Sequence, residues 1–136
     1  MWENYVPRDF KSVPVPEDLK KAMEEYTAQT GMRATGIFDL AIFKLMHMWD
    51  EGKHEEVENA LIYNPPPNSK KSITLSLRFT GQQSFDWVCD LEREEAIIQS
   101  TRDFILRSLS WFLREKGVLC KYENNGNKNS GWKGTK

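Results

Sequence analysis

The stretch of sequence that decides the fold is Lys71-Ser72-Ile73-Thr74-Leu75-Ser76-Leu77-Arg78-Phe79. Apolar and polar residues alternate strictly along most of it. The apolar positions are Ile73, Leu75, Leu77 and Phe79. A period of two is typical of a β-strand with one buried face and one solvated face. The stretch therefore predicts a strand whose outward side chains are Thr74, Ser76 and Arg78.

Two helices are predicted after this strand. Thr80 and Gln83 have the spacing of a helix-capping box, and Ser100 and Asp103 repeat that spacing farther along the chain. Both predicted helices carry apolar residues at helical intervals: Phe85, Val88, Cys89 and Leu91 in the first, and Phe104, Ile105, Leu109, Phe112 and Leu113 in the second. Gly117 is placed to end the second helix.

The same order of strand, helix and helix is predicted earlier in the chain. Val13 and Val15 alternate with Ser12 and Pro14, which predicts a short strand. The sequence Pro16-Glu17-Asp18 suits a helix start, because proline and acidic residues favour the first turn. The helix that follows carries apolar residues at helical spacing, namely Leu19, Ala22, Met23 and Tyr26, and Gly31 is placed to stop it.

The second helix of this earlier segment is predicted from about Thr35 to Trp49. Apolar residues occupy almost every face of it, so it is expected to be buried on several sides. A further short helix is indicated over residues 53–62 by the spacing of Val57, Ala60 and Leu61.

Consecutive prolines divide the chain. They lie in the stretch Asn64-Pro65-Pro66-Pro67-Asn68-Ser69-Lys70-Lys71, and they predict a stiff, extended linker because proline restricts φ and donates no backbone hydrogen bond. The predicted organisation is a first segment with an acidic extension over residues 1–64, a linker over 65–71, a second segment over 72–117 and a flexible basic tail over 118–136.

Charge is distributed unevenly over these parts. The chain of 136 residues has a formal net charge of −1, yet residues 1–64 hold 7 Lys and Arg against 12 Asp and Glu, whereas residues 65–136 hold 12 against 8. The balances are −5 and +4, so the positive potential that attracts nucleic acid is concentrated in the second half.

No apolar run is long enough to cross a bilayer and no secretory signal is present, so a cytoplasmic protein without membrane contact is expected. Cys89 and Cys120 are then expected to be reduced thiols.

Both segments resemble the ribbon-helix-helix family of DNA-binding proteins, the Arc/MetJ-like group. The resemblance covers residues 11–49 and 72–116. In the first segment it depends on Val13-Pro14-Val15-Pro16-Glu17-Asp18-Leu19 followed by Thr30-Gly31; in the second, on Leu75-Ser76-Leu77-Arg78-Phe79 and Ser100-Thr101-Arg102-Asp103-Phe104-Ile105. It implies a mostly α fold of tandem ribbon-helix-helix repeats, with two short strands forming an antiparallel ribbon plus four main helices. Because one such repeat cannot bury its strand edge alone, the two repeats are expected to pair within the chain, and self-association of chains remains an alternative.

The resemblance also implies a site. The ribbon of this family enters the major groove of double-stranded DNA, so Thr74, Ser76 and Arg78 would read base edges. The residues expected to contact the DNA backbone are Lys70, Lys71, Ser100, Thr101 and Arg102. In the first segment the outward positions are Ser12 and Pro14, so Ser12 is expected to contribute only weakly.

Several functions follow as alternatives. The leading one is a sequence-specific DNA-binding regulator, either a transcriptional repressor or an accessory protein for a plasmid, conjugation or another mobile element. The second is an antitoxin or a protein-interaction scaffold that holds a protein partner through the acidic first segment or the C-terminal tail. An enzyme is not expected, since no catalytic motif, metal-ligand spacing or cofactor-binding loop occurs. No cofactor or metal is predicted; His47 and His54 have no companions at ligand spacing.

Overall fold

The structure, a computed structural model, describes residues 10–79, 81–93 and 97–120. Within this part of the chain it contains five helices and two strands. Their order is β1 (Phe10–Pro16), α1 (Glu17–Thr30), α2 (Ala34–Asp50), α3 (His54–Ile62), β2 (Lys71–Arg78), α4 (Gly81–Arg93) and α5 (Thr101–Glu115). The fold is therefore mostly helical, and α3 is the further short helix that was indicated over residues 53–62.

Both predicted strands are present and pair with each other in an antiparallel two-stranded sheet. Ser12 lies opposite Ser76, Val13 opposite Leu75 and Pro14 opposite Thr74. The register shifts between Val15 and Pro16, immediately before α1 begins. A two-stranded ribbon is unstable by itself, so its stability must come from the helices packed on its inner face.

Local signals explain where α1 ends and where α5 begins. Gly31 ends α1 with a φ of +80°, a left-handed conformation that only glycine adopts without strain, and its amide donates to the Thr27 carbonyl. At the start of α5 the Ser100 hydroxyl accepts a hydrogen bond from the Asp103 amide at 3.0 Å. The helix stop and the helix cap predicted at these two places are confirmed.

One hydrophobic core serves both halves of the chain. At its centre the ring of Phe79, which follows β2, contacts three other aromatic rings: Phe38 of α2, Phe85 of α4 and Phe104 of α5. The ring centroids of Phe38 and Phe79 are 5.3 Å apart, and Phe79 lies 5.5 Å from Phe85 and 6.3 Å from Phe104. The first two pairs are edge-to-face and the third is stacked, and aromatic pairs at such distances are favourable beyond the area they bury. The proline-containing linker thus joins two segments that share a core.

Two predictions of burial were wrong in part. Helix α2 was expected to be buried on several sides, but Phe43 in its middle is 69% exposed. The tail predicted to be flexible from residue 118 begins with packed residues: Leu119 is buried, and the Cys120 carbonyl accepts a hydrogen bond from Arg114 at 2.8 Å. In both cases tertiary contacts, which helical spacing and composition do not specify, decided the outcome. Residues 121–136 of the tail, and Thr80 of the predicted capping box, lie outside the described residues.

Candidate nucleic-acid interface

The outward face of the ribbon is a small hydroxyl-bearing surface open to solvent. Ser12 and Pro14 of β1 and Thr74 and Ser76 of β2 are all exposed. The Ser12 and Ser76 hydroxyls face each other across the strands, with their oxygens 3.4 Å apart. A two-stranded ribbon has the width that a DNA major groove accepts, and its outward hydroxyls can donate to or accept from base edges.

The inner face of the ribbon holds that surface in place. Val13, Val15 and Leu77 are buried in the core, whereas Leu75 is half-buried and Ile73 is 38% exposed. Ile73, predicted on the buried face, is therefore only partly covered. Because successive side chains of a strand point to opposite faces, burying Val13 and Leu77 directs Ser12 and Ser76 outward.

Arg78 forms the last pair of the ribbon, opposite Phe10. It is the residue with the strongest predicted capacity for base reading, because a guanidinium can bind O6 and N7 of guanine together. Its backbone belongs to β2, as predicted. The position of its side chain lies outside what the structure describes.

Lys70 and Lys71 lie at the opposite end of β2, and both are exposed. The chain around them is tied to the start of α1: the Glu17 amide donates to the Lys70 carbonyl at 2.8 Å, and the Asp18 amide donates to the Ser69 hydroxyl at 3.1 Å. The end of the linker thus supplies hydrogen-bond acceptors for the first amides of α1, although it lies far from α1 in sequence. This capping fixes the backbone that carries the two lysines next to the ribbon.

Arg102, predicted to contact the DNA backbone, makes a structural contact with the ribbon. Its Nε donates to the Ser12 carbonyl at 2.9 Å, although the side chain as a whole is exposed. This hydrogen bond places the start of α5 alongside β1. A guanidinium carries five N–H groups, so donors remain beyond the Nε–H used here.

The start of α5 is more constrained than the sequence indicated. Ser100 uses its hydroxyl to cap the Asp103 amide, and an Asp103 carboxylate oxygen accepts from the Gln99 amide at 3.1 Å. Thr101 is half-buried. Any anion held here would therefore be bound mainly by backbone amides at the beginning of the helix, where the helix dipole also favours negative charge.

Arg107 is a residue whose importance the sequence reasoning missed. Its Nε donates to Asp103 at 3.0 Å, and its Nη1 donates to the carbonyls of Leu61 and Ile62 at 2.9 and 3.2 Å. A positive side chain thus satisfies carbonyls at the C-terminus of α3, where the helix dipole favours it. The only local signal was the spacing of four residues between Asp103 and Arg107, which suits an ion pair on one helix face.

The predicted backbone-contacting residues therefore lie on two sides of the hydroxyl surface. Lys70 and Lys71 are at one end of the ribbon, and Arg102 with the α5 start lies beside β1. Among the described residues no group of three or more His, Cys, Asp and Glu side chains could hold a metal ion. His47 pairs with Glu51 at 3.0 Å, and His54 stacks on Trp49 with ring centroids 3.7 Å apart.

Within the described ranges, none of the helices combines the length and the apolar character needed to span a bilayer. Comparison of the chain with protein-family models, with curated proteins and with solved structures found no significant match.

Proposed function

We propose that this chain is a sequence-specific regulator that binds double-stranded DNA through a tandem ribbon-helix-helix arrangement. The observation that carries the proposal is the antiparallel pairing of β1 with β2, which leaves the hydroxyls of Ser12, Thr74 and Ser76 exposed on one face. The order of a strand followed by helices, which occurs after β1 and again after β2, supports the ribbon-helix-helix resemblance, and helices from both halves contribute to the shared core. Repression of transcription and an accessory role on a mobile element both remain within the proposal, and both belong in the cytoplasm.

The two halves of the ribbon contribute unequally to this function. In β2, Thr74, Ser76 and Arg78 supply two hydroxyls and one guanidinium, whereas in β1 the corresponding surface consists of Ser12 and Pro14. Base recognition is therefore assigned mainly to β2. Lys70, Lys71 and Arg102, together with the α5 start at Ser100 and Thr101, would fix the ribbon on the phosphates.

The second candidate function is a protein-binding scaffold or antitoxin. Pro14 favours it, because a proline on the reading face offers neither a hydrogen-bond donor nor a charge to DNA. The excess of acidic residues in the first half also favours a protein partner.

Selection from a pool of random-sequence DNA duplexes tests the leading proposal. The chain is expected to enrich one sequence pattern, and its affinity for the selected duplex should fall as salt rises. Three basic contacts per chain predict a slope of about −3 for log affinity against log salt concentration, measured between about 50 and 200 mM. Enrichment of no pattern would contradict sequence-specific binding.

Two matched pairs of variants then assign the contacts. Arg78→Ala should reduce the preference for the correct base at one base pair by about 5- to 150-fold, which corresponds to about 1–3 kcal/mol. Arg93→Ala, at the end of α4, makes the same charge change away from the ribbon and should keep that preference. Thr74→Ala should weaken binding to the selected duplex, and Thr35→Ala on α2 should not. If the wild type binds DNA only weakly, and Arg78→Ala and Thr74→Ala bind it with the same affinity, the scaffold function is favoured instead.

A further inference from the structure

One face of α2 carries a stripe of residues separated alternately by four and three positions. The stripe consists of Gly36, Leu40, Phe43, His47 and Asp50. Alternating intervals of four and three are the spacing at which one α-helix packs lengthwise along another. At a rise of 1.5 Å per residue the stripe is about 21 Å long.

The stripe forms the floor of an open groove with a volume of about 600 Å³. Met32, before α2, and Gln83 and Ser84, at the start of α4, also line the groove. The volume is within the range of about 300–1,000 Å³ that is typical of binding clefts.

The groove is apolar at its centre. Phe43 is 69% exposed there, and Leu40 and Met46 beside it are half-buried. An exposed aromatic ring among adaptable methionine and leucine side chains is the kind of surface that anchors a partner helix. This exposure is also the point at which α2 departs from the burial that its sequence predicts.

The charge of the groove selects the chemistry of its occupant. The lining holds two carboxylates, those of Asp39 and Asp50, and neither a lysine nor an arginine. A second copy of this chain that docked groove to groove would place acidic linings against each other, which is unfavourable. A helix with basic residues beside its apolar face would complement the groove.

We infer that this groove binds an amphipathic helix of a partner protein, about four turns long, with apolar residues at alternating intervals of three and four and with lysine or arginine beside them. Phe43, Leu40 and Met46 contact the apolar side of that helix, and Asp50 faces its basic residues. The lining includes no residue of β1 or β2. The inference is therefore separate from DNA binding by the ribbon, and either can fail without the other.

A displayed library of 14-residue peptides tests the inference with the full-length chain. Apolar positions in the library vary among Leu, Phe and Ser, and the flanking positions vary among Lys, Glu and Ser. Selection should enrich Leu or Phe at the apolar positions and Lys at the flanks. Absence of enrichment, or enrichment of Glu at the flanks, overturns the inference.

Matched substitutions locate the binding. Phe43→Ala should weaken the selected peptide about tenfold or more, whereas Tyr63→Ala, which removes a similarly exposed ring (64%) outside the lining, should not. Asp50→Asn should weaken it about two- to fivefold, and Glu56→Gln on α3 makes the same charge change outside the lining. Equal affinity for wild type and Phe43→Ala would place the peptide elsewhere and reject the groove.

Sedimentation of the chain alone distinguishes a second copy as the occupant. The protein should show no dimer that depends on Phe43. A dimer that Phe43→Ala dissociates and Tyr63→Ala leaves intact would assign the groove to self-association and overturn the inference of a basic partner. Thermal unfolding of Phe43→Ala, expected to be close to wild type because the ring is exposed, confirms that the variant is folded.

Discussion

Truncation to alanine should lower the free energy of unfolding strongly at Leu77 of β2 and hardly at all at its neighbour Ser76. Leu77 is 1% exposed and lies in the core, whereas Ser76 is exposed and its hydroxyl approaches only the Ser12 hydroxyl, at 3.4 Å, in the described structure. Leu77→Ala removes three buried carbon atoms and leaves a cavity, so it should lower the free energy of unfolding by about 2–5 kcal/mol. Ser76→Ala removes one exposed oxygen and should change it by about 0.5 kcal/mol or less.

Urea unfolding followed by circular dichroism measures both effects. Since single domains are stable by about 5–15 kcal/mol, Leu77→Ala should remain folded at low temperature, with its midpoint shifted to markedly lower urea and an unchanged denaturant slope. In thermal unfolding, 1 kcal/mol corresponds to about 4 °C for a domain of this size, so the expected decrease in Tm is about 8–20 °C. Leu77→Val, a smaller truncation that should cost about 1 kcal/mol, provides an intermediate point if Leu77→Ala is too unstable to measure.

The result that refutes this reasoning is a reversal of the order. A shift of the strand register by one residue would turn Ser76 inward and Leu77 outward, because side chains alternate between the two faces. Leu77→Ala would then be nearly neutral and Ser76→Ala destabilising. That outcome would also remove the basis for the proposed DNA-reading surface, since Thr74 and Ser76 would no longer face solvent.

Three further predictions concern the elements that support the ribbon. Ser100→Ala should lower the free energy of unfolding by about 1 kcal/mol in urea titrations, because the Asp103 amide loses its hydrogen-bond acceptor. Ser100→Asp should retain most of the stability, and equal losses in the two variants would contradict the capping role. Arg107→Met should lower the free energy of unfolding by about 1–2 kcal/mol, a range that allows for the partial exposure of the side chain. It should also speed amide hydrogen exchange at the end of α3 around Leu61, whereas a general loss of packing would speed exchange in other elements as well. Because β1 and β2 pair within one chain, Tm should not depend on protein concentration; a Tm that rises with concentration would indicate pairing between chains instead.

Much of the local structure could be predicted from the residues alone. The alternation from Ile73 to Phe79 predicted β2, Gly31 predicted the end of α1, and the spacing of Ser100 and Asp103 predicted the cap of α5. These signals are readable because each depends on a physical preference that acts over a few residues: alternation of side chains, left-handed backbone conformation, and a hydroxyl that accepts an amide hydrogen bond. The outward positions Ser12, Thr74 and Ser76 were predicted in the same way.

The remaining features of the site depend on residues that are far apart in sequence. The hydrogen bond from Arg102 to the Ser12 carbonyl spans 90 positions, and the bond from Arg107 to the Leu61 carbonyl spans 46. No local pattern indicates which carbonyl a surface arginine will reach. The linker gave a further example, because Ser69 caps α1 although 51 positions separate it from Asp18.

The sequence by itself determined which residues form strands and helices and which ribbon positions carry hydroxyls, because periodicity and capping are properties of neighbouring residues. Only the tertiary structure decided that β1 pairs with β2 within one chain and that Arg102 of α5 donates a hydrogen bond to the ribbon. It also decided that the apolar ring of Phe43 on α2 remains exposed. The physical reason is that burial and pairing depend on which surfaces the folded chain brings together. An apolar residue on α2 has the same helical preference whether or not another helix covers it.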